Sequence, residues 1–130
     1  MTEYRFPRTI EEALQLLETH QGQARIIAGG TDLIPDLRKG KLTCPYLVDI
    51  TRIPEMKTIQ VGEEYLEVGA AVTFAELIQH PYIREHVQAL MDAARSVGAG
   101  AIQKAATWGG NLVQGMPAAD GAMIALALGA

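Results

Sequence analysis

The chain has 130 residues, 48% hydrophobic and 20% charged, which suffices for one buried core and excludes a disordered polymer. Eleven basic against fifteen acidic residues leave a net charge of −4, so no basic field draws it to nucleic acid. No apolar run approaches the ~18 residues of a membrane span, the first residues lack the pattern of a secretory leader, and the lone Cys44 excludes an internal disulfide, an iron–sulfur site or a thiolate zinc site; a cytoplasmic protein is expected.

Thr9-Ile-Glu-Glu12 is a capping box, in which Thr9 accepts from an N–H of the first turn and Glu12 reaches back to the Thr9 N–H. Ile10, Ala13, Leu14 and Leu17 then recur at helical spacing, which predicts an amphipathic helix over 10–20, ended by Gln21-Gly22-Gln23. Residues 24–28, centred on Ile26-Ile27, predict a short buried strand feeding a Gly-Gly turn at Ala28-Gly29-Gly30-Thr31-Asp32. A short helix over 31–39 follows, with Pro35 in its first turn, where a missing N–H is tolerated. Residues 46–50 predict a second strand. Beyond a turn at Pro54, strands near 58–61 and 65–69 flank Gly62-Glu63-Glu64 as a hairpin loop.

A second capping box, Thr73-Phe-Ala-Glu76, opens a helix whose apolar face is Phe74, Leu77 and Ile78, and Pro81 stops it. Val87, Leu90, Met91 and Ala94 mark a third amphipathic helix, ending near Val97-Gly98. A second Gly-Gly turn, Thr107-Trp108-Gly109-Gly110-Asn111, and a loop at Pro117 lead to residues 122–128, apolar on every side and so expected to be buried from every direction. A single sheet layer does not enclose that much apolar surface. The expectation is that the chain is truncated there, or that a partner or second copy covers the last helix.

The two Gly-Gly turns carry the functional reading. Glycine admits φ > 0 and close approach of a ligand, and consecutive N–H groups turned one way form an anion-binding nest. Two nests in one small chain point to a diphosphate held from both sides. Neither the dinucleotide fingerprint nor a Walker loop is present. Either turn alone reads as a plain tight turn; the pair, each flanked by Thr and by Asp or Asn, favours a ligand. Asp32 is expected to cap the following helix. Asn111 either takes a left-handed conformation or bonds a phosphate or ribityl hydroxyl. Trp108 is expected in the core. Asp120 caps the last helix or accepts from a sugar hydroxyl. His20, His80 and His86 are scattered, with no metal-ligand spacing and no nucleophile–base arrangement. Any chemistry would come from a cofactor.

Ala28-Gly-Gly-Thr-Asp-Leu33, Leu47-Val-Asp-Ile50, Thr107-Trp-Gly-Gly-Asn111 and Pro117-Ala-Ala-Asp120, in this order and spacing, resemble the FAD-binding subunit of the molybdenum hydroxylases. That family includes xanthine dehydrogenase, the medium subunit of aerobic carbon monoxide dehydrogenase and 4-hydroxybenzoyl-CoA reductase. The resemblance runs from about Phe6 to the end and implies an α+β fold of the p-cresol methylhydroxylase and vanillyl-alcohol oxidase type. Residues 1–55 would form the N-terminal FAD-binding subdomain, and 56–130 the first part of an incomplete second one. By matching position, the FAD-binding residues are Ala28, Gly29, Gly30, Thr31 and Asp32, then Thr107, Gly109, Gly110 and Asn111, and Asp120 near the flavin nucleotide. No catalytic side chain and no metal ligand is implied.

The implied function is electron relay in a cytoplasmic oxidoreductase. Iron–sulfur clusters on a small subunit, fed by a molybdenum cofactor on a molybdopterin-binding large subunit, would deliver electrons to flavin, which passes them to NAD⁺, a quinone or another acceptor. Activity of the chain alone is not expected; a homo-oligomer through the last helix is an open alternative. Subunits of the family run to more than twice this length. Trp108 stands where the family has Ile, Gln103-Lys104 where it has Arg-Asn, and Met116 where it has Ser. These departures keep open a second reading, a non-catalytic form of the fold that binds no flavin and serves as an interaction module.

Overall fold

Leu47 and Val48 are sequence neighbours and both fully buried, which in an extended chain requires cover on both faces. They lie in β3 (Tyr46–Asp49), the central strand of a three-stranded parallel sheet flanked by β1 (Glu3–Arg5) and β2 (Ala24–Ile27). Glu3 and Ala24 both stand opposite Tyr46. This computed structural model describes residues 1–116 and 119–130; Pro117 and Ala118, which open the fourth family stretch, lie outside the described residues.

Helix α1 (Ile10–Thr19) carries the chain from β1 past β3 to β2, and α2 (Leu33–Arg38) carries it back to β3. Right-handed crossovers running in opposite directions place their helices on opposite faces of a sheet. Accordingly Val48 packs with Ala13, Ile50, Ile53 and Ala71 on the α1 side, and Leu47 with Ile27, Cys44 and the α2 residues Leu33, Ile34 and Leu37 on the other.

Two expectations change here. β2 is an edge strand in which only Ile27 is buried, and Ile26 is 53% exposed, because α2 covers the Ile27 face whereas on the other face Ala24, not Ile26, packs with the α1 side. β1 had no signature in Glu3-Tyr4-Arg5 and exists through its pairing with β3. The capping boxes form in half: Thr9 Oγ1 accepts from Glu12 N (3.1 Å) and Thr73 Oγ1 from Glu76 N (3.2 Å). The carboxylates go elsewhere, Glu12 to the Arg8 N–H (2.6 Å) and Glu76 to Lys57 Nζ (2.7 Å).

Two 3₁₀ turns, Ile50–Arg52 and Pro54–Lys57, lead to the antiparallel hairpin of β4 (Ile59–Val61) and β5 (Leu66–Val68), closed by Gly62 N donating to Tyr65 O at 2.9 Å. Among the described residues six helices follow: α3 (Phe74–Gln79), α4 (Pro81–His86), α5 (Gln88–Ser96), α6 (Gly100–Ala105), α7 (Trp108–Gln114) and α8 (Asp120–Ala127). Their core is Val72, Phe74, Leu77, Ile83, Leu90, Met91, Ala94 and Val97. Pro81 ends α3 as expected and also opens α4, where its fixed φ suits the first helical position. α4 and α6 have six residues each, too few to display a 3.6-residue period. α8 departs from the all-round burial expected of it: Gly121 and Ala125 are buried, whereas Met123 is 60% and Leu126 83% exposed. Among the described residues, no helix is long and apolar enough to cross a membrane.

Candidate cofactor-binding site

Ligand sites of parallel sheets lie beyond the C-terminal ends of the strands. β2 runs at that end into Ala28–Asp32, where Gly30 takes φ +70° and its carbonyl accepts from Ile34 N (3.0 Å) to start α2. Among the described residues, the N–H groups of Ala28, Gly29, Gly30, Thr31 and Asp32 meet no acceptor. A backbone donor left unpaired in a half-buried loop is costly unless a ligand or water accepts from it. Five such donors in succession leave the first loop open to an acceptor from outside it.

Gly29 explains how the two motifs, about 80 residues apart, come together. Its Cα rests on the main chain just before Thr107: a Cβ there would lie 2.7 Å from the Ala105 carbonyl carbon and 3.0 Å from Ala106 Cα. Only glycine permits that approach.

The second motif is built differently from the expected nest. Thr107, 2% exposed, forms an antiparallel bridge with Thr73 and caps α7, its Oγ1 accepting from Gly110 N at 3.1 Å. Trp108 N donates to Val72 O (2.9 Å), Gly109 N to Ala70 O (2.9 Å) and Asn111 N to Thr107 O (3.0 Å). Neither Gly109 nor Gly110 has a positive φ. The amides are therefore engaged within the protein, and no second nest forms. Gly109 is needed for contact instead, since a Cβ there would lie 2.7 Å from both the Cβ and the carbonyl oxygen of Ala70. Gly110 is exposed on the first turn of α7, and Trp108 packs edge-on to Phe74 with centroids 6.4 Å apart, as expected of a core indole.

The polar side chains divide. Asn111 is helical, which removes the left-handed alternative, and its buried Oδ1, lying beneath Gly121 of α8, has no hydrogen-bond partner among the described residues. Asp32 precedes α2 but makes no capping bond and is exposed, contrary to its expected role. Asp120 is half-buried as the first residue of α8, whose N-cap is Ala119, so it is not the cap either. Sequence reasoning missed Ala70, Ala105 and Ala106, the small residues against which Gly109 and Gly29 close. The runs Gly69-Ala70-Ala71 and Ala105-Ala106 were the available signal for close backbone approach.

The donor set fits a phosphate-bearing cofactor in a specific way. Free amides come from the first loop, and among the described residues the buried Asn111 Oδ1 has no hydrogen-bond partner. None of the candidate residues carries a positive charge.

Known proteins are similar to this chain in sequence and fold. The family described as FAD binding domain in molybdopterin dehydrogenase matches residues 1–130. The nicotinate dehydrogenase FAD-subunit of Eubacterium barkeri is 39% identical over 120 residues, covering 92% of this chain and 40% of that protein. The carbon monoxide dehydrogenase medium chain of Hydrogenophaga pseudoflava is 29% identical over 97% of this chain and 44% of its own length. The solved structure of carbon monoxide dehydrogenase from Hydrogenophaga pseudoflava, in a form lacking the Mo-pyranopterin moiety, superposes with a TM-score of 0.93 at 28% identity, again over 97% of this chain and 44% of that one. Quinoline 2-oxidoreductase from Pseudomonas putida 86 superposes with a TM-score of 0.82 at 32% identity over 86% and 39%. The chain thus spans about two fifths of the length of these relatives. On the match over its whole length and the shared α+β fold, the chain belongs to the family of FAD binding domains in molybdopterin dehydrogenase.

Proposed function

We propose that this chain holds FAD within a molybdenum-hydroxylase-type oxidoreductase and relays electrons from iron–sulfur clusters through the flavin to an acceptor. The observation that carries the reading is the seating of Gly29 on Ala105–Ala106, which sets the open amides of 28–32 beside the first turn of α7. In this reading the first loop donates to the diphosphate, Gly110 leaves room for it at the α7 N-terminus, and Asn111 and Asp120 accept from hydroxyls of the cofactor; Thr31 and Asp32 line its entry. Bound FAD supplies the redox chemistry that no side chain here provides. The chain's own residues bind and orient it. The partners would be an iron–sulfur subunit and a molybdopterin-binding subunit, in the cytoplasm, with residues 1–55 and 56–130 as the two halves of the cofactor site.

The departures from the family pattern lend little weight to a form that binds no flavin. Trp108 packs against Phe74, Gln103 Nε2 donates to Arg95 O (2.9 Å), and Met116 is exposed. None of them alters the first loop. A titration of the chain with FAD, with riboflavin as the control, tests the reading. Trp108 is the only tryptophan, so quenching of its emission reports flavin near the second motif. Saturable binding of FAD but not riboflavin is expected. Equal affinity for both would show that the diphosphate is not what the loops recognise.

A further inference from the structure

Between the three-stranded sheet and the second motif runs one short stretch, 69–73, turned at Ala70–Ala71 by Val72 N donating to Gly69 O at 3.1 Å. Ala70 O and Val72 O accept from Gly109 N and Trp108 N, each at 2.9 Å. The intervening Ala71 O accepts instead from Lys57 Nζ at 3.2 Å, and that ammonium also pairs with Glu76 Oε1 at 2.7 Å. Ala71 N donates to Met56 O (2.8 Å), and the Ala71 methyl packs with Val48, Ile50 and Ile53. One side of the stretch is thus bonded to the sheet half through residues 56 and 57, and the other to Trp108 and Gly109.

We propose that Lys57, held by Glu76, is a positioning residue that fixes the register of this stretch and so sets the second motif against the first loop. Nothing else among the described residues donates to Ala71 O. Lys57 and Glu76 are 32% and 42% exposed, partly withdrawn from water, where a charge-assisted bond is stronger than at the open surface. Glu76 occupies the third position of α3, where a capping box would turn it to the Thr73 N–H; its engagement by Lys57 couples α3 to the same stretch. The effect on cofactor affinity rests on the FAD reading, whereas the effect on the stretch does not.

The test is amide hydrogen exchange by NMR in the full chain, comparing wild type with Lys57→Met, which keeps the apolar stem and removes the donors. Protection at the Trp108 and Gly109 amides is expected to fall roughly tenfold, the scale of one hydrogen bond to a charged group, with Leu47 and Val48 unchanged. FAD affinity is expected to fall by a similar factor. Should Lys57→Met not fold, Glu76→Gln is read the same way, with a smaller loss at the same two amides. Unchanged protection at Trp108 and Gly109, or a uniform loss across the chain, would overturn the proposal. If wild type binds no FAD, the exchange result still decides the role of Lys57, and only the flavin reading is lost.

Discussion

Replacing Gly29 by alanine strikes the one contact on which the site depends. The added Cβ would run into the Ala105 carbonyl oxygen and stand 2.7 Å from the Ala105 carbonyl carbon and 3.0 Å from Ala106 Cα. Non-bonded carbons sit at about 3.5–4.0 Å, so the overlap is roughly 0.5–0.8 Å at the least. Both neighbours are backbone, so no rotamer change relieves it, and Gly29 itself has no positive φ that alanine would strain. The loop must move by about 1 Å, at a cost typical of overpacking, about 1–3 kcal/mol. A shift of that size along the bond takes an amide from about 2.9 Å to about 3.9 Å from its acceptor, beyond hydrogen-bond range. Losing one bond to a charged phosphate oxygen costs about 1.5–3 kcal/mol, or roughly tenfold to hundredfold in FAD affinity. Urea denaturation reads the first effect and flavin titration the second. Gly100→Ala is the control: it opens α6 with nothing within 4 Å of its Cβ position, so it should be neutral or stabilising by up to about 1 kcal/mol. A Gly29→Ala chain that melts and binds FAD like wild type would mean that the loop does not rest on residues 105–106, and the two-motif site would be wrong.

Gly110→Asp adds a carboxylate at an exposed helix start where the new Cβ would approach only Thr107 Oγ1, at 2.8 Å. It should fold at the ~1 kcal/mol cost of a disturbed cap, yet lose tenfold or more in FAD affinity, since two like charges at ~5 Å repel by about 3 kcal/mol at an effective dielectric of 20. Unchanged affinity in that titration would remove the α7 N-terminus from the site. Thr107→Val keeps the shape of a residue that is 2% exposed but deletes the acceptor for Gly110 N. It should cost about 1 kcal/mol in chemical denaturation, the usual worth of an N-cap. An unmoved midpoint would show that this cap contributes nothing to stability.

The elements that could be read in advance are those governed by near neighbours. α1, α3 and α5 carry a cap or an apolar face within three or four residues, and the hairpin around Gly62 has its own loop. β1 could not be read, because Glu3-Tyr4-Arg5 becomes a strand only by pairing with residues more than forty positions away. The carboxylates of Glu12 and Glu76 also escaped local rules, since better donors at Arg8 and Lys57 were at hand once the chain had folded.

The sequence by itself determined the helices with clear periodicity, the central strand, the family and the residues of both glycine motifs. Only the tertiary structure decided what each glycine is for. Gly30 adopts a left-handed turn beside open amides, whereas Gly29 and Gly109 make room for Ala105 and Ala70. A Gly-Gly pair looks the same in sequence whichever need it meets, because the need is set by the backbone that packs against it from a distant part of the chain.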